Sequence, residues 1–182
     1  MKLERRQIGP SEVEAVHEIM KQCGQDMKER LGLGHWDPPY PLALLRTSAK
    51  ERRVYAVLTD EQLVATFTVG KEPPSYYHTI AGVWESWDPS GEPALYVNRL
   101  AVLPALQGQG IGTWCMQEIE QMASREGYEA IRLDAYGNHL KLVEWYQHLG
   151  YHWRGTFVFR TRLYGETCMT CLEKMKEGVT VL

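Results

Sequence analysis

One run of residues, Leu95 to Gly112, constrains this chain more than any other. Its first half, Leu95 to Val102, is rich in β-branched and aromatic residues and holds no Gly or Pro, which specifies a largely buried central strand. Pro104 stops that strand. Gln107 to Gly112 then places glycine at positions 108, 110 and 112, so the backbone can come close to a ligand where a Cβ would obstruct it. From Ile111 the apolar residues Ile111, Trp114, Cys115, Ile119, Met122 and Ala123 fall on one helical stripe, and Arg125 and Gly127 are stop signals.

A strand, a glycine loop and a helix N-terminus together make an anion site, because unpaired N–H groups and the positive end of the helix dipole converge on one point. The ligand class is therefore phosphate-bearing, against the plainer alternative of a glycine turn with no ligand. Spacing separates the families that use such loops. A nucleoside-triphosphate loop needs Gly-Lys-Ser/Thr, whereas Gly112 is followed by Thr113 and Trp114. A dinucleotide fingerprint needs its third glycine at position 113 or 115, which hold Thr113 and Cys115.

The pattern Gln107-x-x-Gly110-x-Gly112, after a strand ending Leu100-Ala101-Val102, resembles the pyrophosphate-binding motif of the GNAT superfamily of acyl-CoA N-acyltransferases. Downstream, Asn138 opens a helix that carries Trp145-Tyr146 and ends Leu149-Gly150-Tyr151, which is similar to the second half of that family's acetyl-CoA site. The resemblance implies that Leu100, Ala101 and Val102 supply pantetheine contacts. It implies pyrophosphate contacts from Gln107, Gly108, Gln109, Gly110, Ile111 and Gly112, with Thr113 and Asn138 completing the cofactor set. Tyr146 matches the tyrosine that many members point at the cofactor sulfur. A phenol stays protonated at neutral pH and can protonate a departing thiolate, although a core aromatic at this helical position would look the same.

The expected architecture is mixed α/β: a twisted, mostly antiparallel sheet of six or seven strands with helices on both faces, splayed between two central parallel strands. The 182 residues suit a single domain spanning 1–182, and 44% hydrophobic residues agree with a globular core. A net charge of −3 with interspersed basic residues argues against nucleic acid, and no apolar run approaches a membrane span. With no leader-like apolar segment after Met1, the expected location is the cytoplasm. Cys168 and Cys171 have C-x-x-C spacing, but on a strand their thiols point to opposite faces, and no second pair completes a metal site, so no metal is expected.

In chain order, Lys2 to Ile8 reads as a first strand, and Ser11 with Glu14 has capping-box spacing ahead of a helix bearing Val13, Val16, Met20, Cys23 and Met27. Leu31 to Pro41 is a loop that either shapes an acceptor pocket or is simply anchored by Trp36, and a short helix follows at Leu42 to Arg46. Arg53 to Leu58 and Leu63 to Val69 form a hairpin. Residues 70–93 are a long aromatic insertion, with a short helix or strand near His78 to Trp84, suited to an acceptor site or to a homodimer contact. Ala130 to Ala135 is a buried strand parallel to the central one, with Asp134 at its C-terminal end, and Asn138 caps the next helix. Tyr151 to Phe159 and Glu166 to Met175 close the sheet.

The activity this implies is acetyl-CoA-dependent acetylation of a primary amine, on a small molecule or a peptide, with acetyl-CoA as cosubstrate. The competing reading is a non-catalytic acyl-CoA-binding regulatory module. Many members of the family carry an acidic residue on the central strand, and Tyr96 to Leu100 has none. Asp134, Glu92, His78 and His35, or a water chain ending on Asn98 or Tyr96, are the candidates for the base, and a backbone N–H of Leu100 or Val102 is the candidate for polarising the thioester carbonyl.

Overall fold

The computed structural model describes residues 1–74, 77 and 93–176, with Phe159 described by its backbone alone. Among the described residues seven strands and four helices follow in the order β1 (Glu4–Ile8), α1 (Val13–Leu31), α2 (Leu42–Glu51), β2 (Arg53–Thr59), β3 (Gln62–Gly70), β4 (Ala94–Val102), α3 (Ile111–Arg125), β5 (Ala130–Tyr136), α4 (Leu140–His148), β6 (His152–Thr161) and β7 (Gly165–Met175). They form one sheet in the order β1-β2-β3-β4-β5-β7-β6, antiparallel at every junction except β4–β5. This is the mixed, mostly antiparallel architecture expected from the sequence.

Each face of the sheet is sealed by a helix pair. The α1–α2 side packs Val13, Val16, Ile19, Met20 and Leu45 on Ile8, Val54, Ala56 and Ala101. The opposite side packs Ile111, Cys115, Met116, Ile119 and Met122 of α3, with Tyr146 of α4, on Phe67, Val69, Leu95, Val97 and Leu133. Each fully buried side chain of this size contributes roughly 1.5–3 kcal/mol of transfer free energy.

Two local expectations fail. Ser11 does not cap α1: Glu12 occupies the cap, and its carboxylate accepts from the Gly9 N–H at 3.1 Å and from Arg6 at 2.5 Å, so the acid turns back onto the entering chain rather than onto the helix. Asn138 does not cap α4 either. His139 does so, its Nδ1 accepting from the Leu142 N–H at 3.2 Å, which leaves Asn138 exposed one residue upstream. α2 also runs to Glu51, beyond the short helix expected at Leu42 to Arg46. The expected helix or strand near His78 to Trp84 lies outside the described residues.

Charge is buried where β5, β7 and β6 meet. Glu173, fully buried, accepts from Arg132 Nε and from Arg154 Nε, both at 2.7 Å, and Arg132 also donates to the Tyr96 hydroxyl at 3.3 Å. Two cations on one carboxylate offset part of its desolvation, and removing any one partner of such a cluster costs about 3–5 kcal/mol.

Candidate active site

β4 and β5 pair over only four positions, Ala94 to Val97 against Ala130 to Leu133, although β4 continues to Val102 and β5 to Tyr136. Beyond Val97 and Leu133 the strands diverge, and the cleft between them opens at their C-terminal ends. Ligands of α/β sheets bind at such ends.

A bulge shapes the β4 lip. Thr68 pairs with Asn98 and Thr66 with Ala101, so Phe67 alone opposes both Arg99 and Leu100. Arg99 takes φ 54°, an unusual conformation for a residue other than glycine. The extra residue exchanges the faces of the strand. Leu95 and Val97 point into the α3 core, whereas Ala101, which simple alternation would put beside them, lies in the α1 core. Leu100 and Val102 consequently pack toward α3 and α4. The Leu103 N–H is bonded to Val64 O of β3 at 2.9 Å, so alternation turns the Val102 N–H the other way, toward the cleft.

At the end of this lip the chain turns through Pro104–Leu106 into the glycine loop. Gly108 and Gly110 have φ 78° and 84°, and a Cβ on either would meet open space, so glycine is needed there for backbone angle rather than for clearance. Trp114 is the first residue of α3 whose N–H is bonded back, to Gly110 O at 2.9 Å, and Gly110 caps the helix without a side-chain bond. The N–H groups of residues 108–113 therefore have no partner among the described residues. Gly112 has a different reason: a Cβ there would lie 3.3 Å from the Trp145 ring, so this glycine lets α4 pack against the start of α3. The Gln107 side chain donates to Val102 O at 3.2 Å, and Cys23 Sγ donates to the same carbonyl at 3.1 Å.

The β5 lip carries Asp134, the first β5 residue past the paired stretch. Its Oδ1 accepts from the Tyr77 hydroxyl at 2.7 Å. Tyr146 of α4 is buried and stands between Trp145 and Tyr151, with ring centroids at 4.7 and 5.9 Å. Burial pushes its phenol well above the usual range, and the negative charge of Asp134 and the Cys115 thiol add to the shift. Its hydroxyl has no hydrogen-bond partner among the described residues. Asp134 is thus near enough to Tyr146 for its charge to bear on the phenol.

A ring of aromatic and polar side chains surrounds the mouth on the α1–α2 side. His35 stacks on Tyr136 at 5.0 Å and approaches Tyr164 of the β6–β7 turn at 6.2 Å. Burial lowers the His35 pKa to about 4, so the imidazole is neutral at physiological pH and a weak base. Tyr40 accepts from Arg99 Nη1 at 3.0 Å. Trp36 belongs to the α1-side core instead, its backbone seated where a Cβ on Gly24 would come within 2.3 Å of Trp36 O. The plainer reading of Trp36 as an anchor is correct, whereas His35 and Tyr40 border the mouth.

The structure brings Leu100, Ala101, Val102, the glycine loop, Asp134 and Tyr146 to one end of the sheet, and Asn138 to the turn before α4. It removes Tyr96 from the base candidates, because its hydroxyl lies in the paired region beside Arg132 and only 4% of the residue is exposed. His78 and Glu92 lie outside the described residues. Sequence reading missed Arg99, Tyr136 and Tyr164, and it placed Tyr77 only within the 70–93 insertion, not on Asp134; a lone Arg inside an apolar strand was the available signal for the first. Cys168 and Cys171 point to opposite faces, and among the described residues no group of three or more His, Cys, Asp or Glu is placed to hold a metal. Among the described residues no helix is long and apolar enough to cross a membrane.

The comparisons agree with this geometry. A curated relative, the uncharacterized N-acetyltransferase YesJ of Bacillus subtilis (strain 168), is 29% identical over 59% of this chain, and the match spans 57% of the relative's length. Among solved structures, a GNAT-family acetyltransferase from Listeria monocytogenes 4b F2365 superposes with a TM-score of 0.72 at 16% identity, covering 96% of this chain and 95% of the other. A GNAT-family acetyltransferase from Elizabethkingia anophelis, solved with acetyl-CoA bound, gives 0.62 at 12% identity over 96% and 98%. The model of the acetyltransferase (GNAT) family matches residues 13–151, a span that runs from α1 through the glycine loop to Tyr151, and the chain belongs to that family of acetyltransferases.

Proposed function

We propose that this protein transfers an acetyl group from acetyl-CoA directly to a primary amine. The observation that supports the reading is the row of N–H groups at residues 108–113 with no partner among the described residues, at the same end of the sheet as Asp134 and Tyr146. The residues fit the cosubstrate. Left-handed backbone at Gly108 and Gly110, open space beside both, and the N-terminus of the 15-residue helix α3 form a cradle for a pyrophosphate. Leu100, Ala101 and Val102 would lie along the pantetheine arm, and Gln107, Gln109, Ile111, Gly112, Thr113 and Asn138 would border the phosphates and the arm. The acetyl-CoA held by a structural neighbour supports this choice of donor.

When bound, acetyl-CoA supplies the acetyl group as a thioester, so the amine nitrogen gains the acetyl group and the sulfur leaves as a thiol. The chain's own work is in the protons and the dipoles. An alkylammonium with a pKa of about 10 must lose a proton before it can react, and Asp134, held by Tyr77, is the base we assign. The Val102 N–H, turned into the cleft, is the donor for the acyl oxygen. The Tyr146 hydroxyl donates toward the departing sulfur. Because its acidity is reduced by burial, it acts chiefly through a hydrogen bond, and its contribution is moderate.

The test is a thiol-release assay with acetyl-CoA and a library of amines, with mass-spectrometric detection of the product. Release of thiol with a matching acetylated amine supports transfer. Tight acetyl-CoA binding with no release from any amine would favour the non-catalytic binding module.

A further inference from the structure

Arg99 is a cation without a counter-ion among the described residues. The β4 bulge sends its side chain to the α1–α2 side, where it is partly buried and its partners are neutral: the Tyr40 hydroxyl at 3.0 Å, Ser48 Oγ at 2.8 Å, and the Tyr40 ring with its centroid 5.3 Å from Cζ. Among the described residues no carboxylate lies within ion-pair distance of it, and its Nε is covered without an acceptor. The more deeply buried Arg132, by contrast, is matched to Glu173. A partly desolvated guanidinium is costly unless an anion completes it, and its planar fork suits a carboxylate.

Its place in the fold says where that anion belongs. Were the pairing of Val97 with Leu133 continued, Asn98 would meet Asp134, so Arg99 and Asp134 flank the mouth of the cleft from opposite lips. One lip offers a positive charge and the other a negative one. Tyr40, Tyr136, His35 and Tyr164 wall the space on the α1–α2 side, and the Tyr164 hydroxyl is a further polar atom without a partner among the described residues. A zwitterion complements this pair. A polyamine or an aminoglycoside would bring a second positive charge toward Arg99.

We propose that the acceptor is a free amino acid, whose carboxylate is held by Arg99 and whose amino group is presented beside Asp134. This rests on the amine-acetylation reading above and narrows its substrate class. Arg99 positions the acceptor, and the transfer itself is unchanged.

Matched pairs of L-amino acids and their primary amides, which keep the amine and neutralise the carboxylate, provide the test. Binding is measured by calorimetry in the presence of CoA, and turnover by thiol release from acetyl-CoA. The expected result is at least one amino acid bound about tenfold or more tightly than its amide, with the preference abolished in Arg99→Asn, a residue that tolerates the left-handed backbone at this position. In the Tyr40→Phe, Ser48→Ala double variant the cation remains while its neutral braces are gone, and the preference should persist. If that variant or Arg99→Asn does not fold, the acid–amide comparison in the wild type decides alone. Equal binding of acids and amides, or no amino acid bound at all, overturns the proposal. Acetylation of amides as fast as acids also overturns it while leaving amine acetylation standing. Arg99-dependent binding of an amino acid with no thiol release supports the carboxylate site and removes the transfer reading instead.

Discussion

The Tyr77 hydroxyl donates to Asp134 Oδ1 at 2.7 Å, which ties the segment after β3 to the β5 lip of the cleft. Tyr77 is only 1% exposed and meets Tyr96 edge-on at 5.9 Å, so its ring is held by packing even without the bond. Asp134→Asn should therefore fold and bind acetyl-CoA, and lose roughly 10²–10⁴-fold in kcat, as expected for loss of a general base. Tyr77→Phe should lose less than Asp134→Asn, with a stability cost of about 1–2 kcal/mol. Steady-state kinetics with denaturant melts on both variants separate these outcomes. A wild-type kcat in Asp134→Asn would remove the base assignment.

Tyr146→Phe should retain full stability, because the hydroxyl it deletes makes no hydrogen bond among the described residues. Its kcat should fall by about 10- to 100-fold with little change in acetyl-CoA affinity. Wild-type kcat under conditions where chemistry limits the rate would make Tyr146 a core residue only.

Gly110→Asp places a carboxylate at the helix N-terminus and forces φ 84° on a side chain. Acetyl-CoA should no longer raise the melting temperature of this variant, while Gly112→Ala, which crowds Trp145 instead, should mainly cost stability. Unaltered acetyl-CoA binding by folded Gly110→Asp would move the pyrophosphate elsewhere.

His35 is buried neutral, its pKa lowered to about 4, whereas an unfolded histidine titrates near 6.5. The unfolded state thus binds the proton more readily. The stability held by the neutral ring is present above about pH 6.5 and is lost as pH falls toward 4, by as much as roughly 3 kcal/mol at 1.4 kcal/mol per pKa unit. His35→Phe keeps an aromatic ring against Tyr136 and should lose less stability than wild type between pH 7 and 4, measured by urea unfolding at each pH. Equal losses in the two proteins would show that the imidazole is hydrated.

Apolar runs, helical stripes and turn signals were enough to locate the seven strands and four helices among the described residues, although α2, which buries Leu45 alone, was read too short. Gly108 and Gly110 were legible because left-handed backbone leaves few residue choices. What sequence reading lost were features made by long-range geometry. Alternation alone would put Arg99 with Leu95 and Val97 in the α3 core, and only the bulge opposite Phe67 turns it to the acceptor side. Tyr164 joins the site from a distant loop, so no local spacing marks it, and the composition of the 70–93 insertion marks the segment of Tyr77 but not its bond to Asp134. The caps failed for a smaller reason: His139, one residue from the expected position, supplies an equally good acceptor for α4, whereas Glu12 takes the cap of α1 without a side-chain bond to the helix.

The four-residue seam between β4 and β5 has a consequence for how the molecule comes apart. β1 to β4 are antiparallel neighbours in chain order, with α1 and α2 intervening between β1 and β2, and β6–β7 is a hairpin onto which β5 adds, so each half of the sheet is held by antiparallel ladders longer than the seam. The parallel seam instead has only four paired positions and needs α3 to cross over, and parallel pairing is slightly less stable per residue than antiparallel, so it is the weakest joint of the sheet. The cleft is bounded by that seam. Its chemistry is therefore the first property the chain gives up, and in a denaturant titration catalytic competence should vanish, and the amides of Leu95 and Val97 exchange with solvent, before the two half-sheets lose their strand signal.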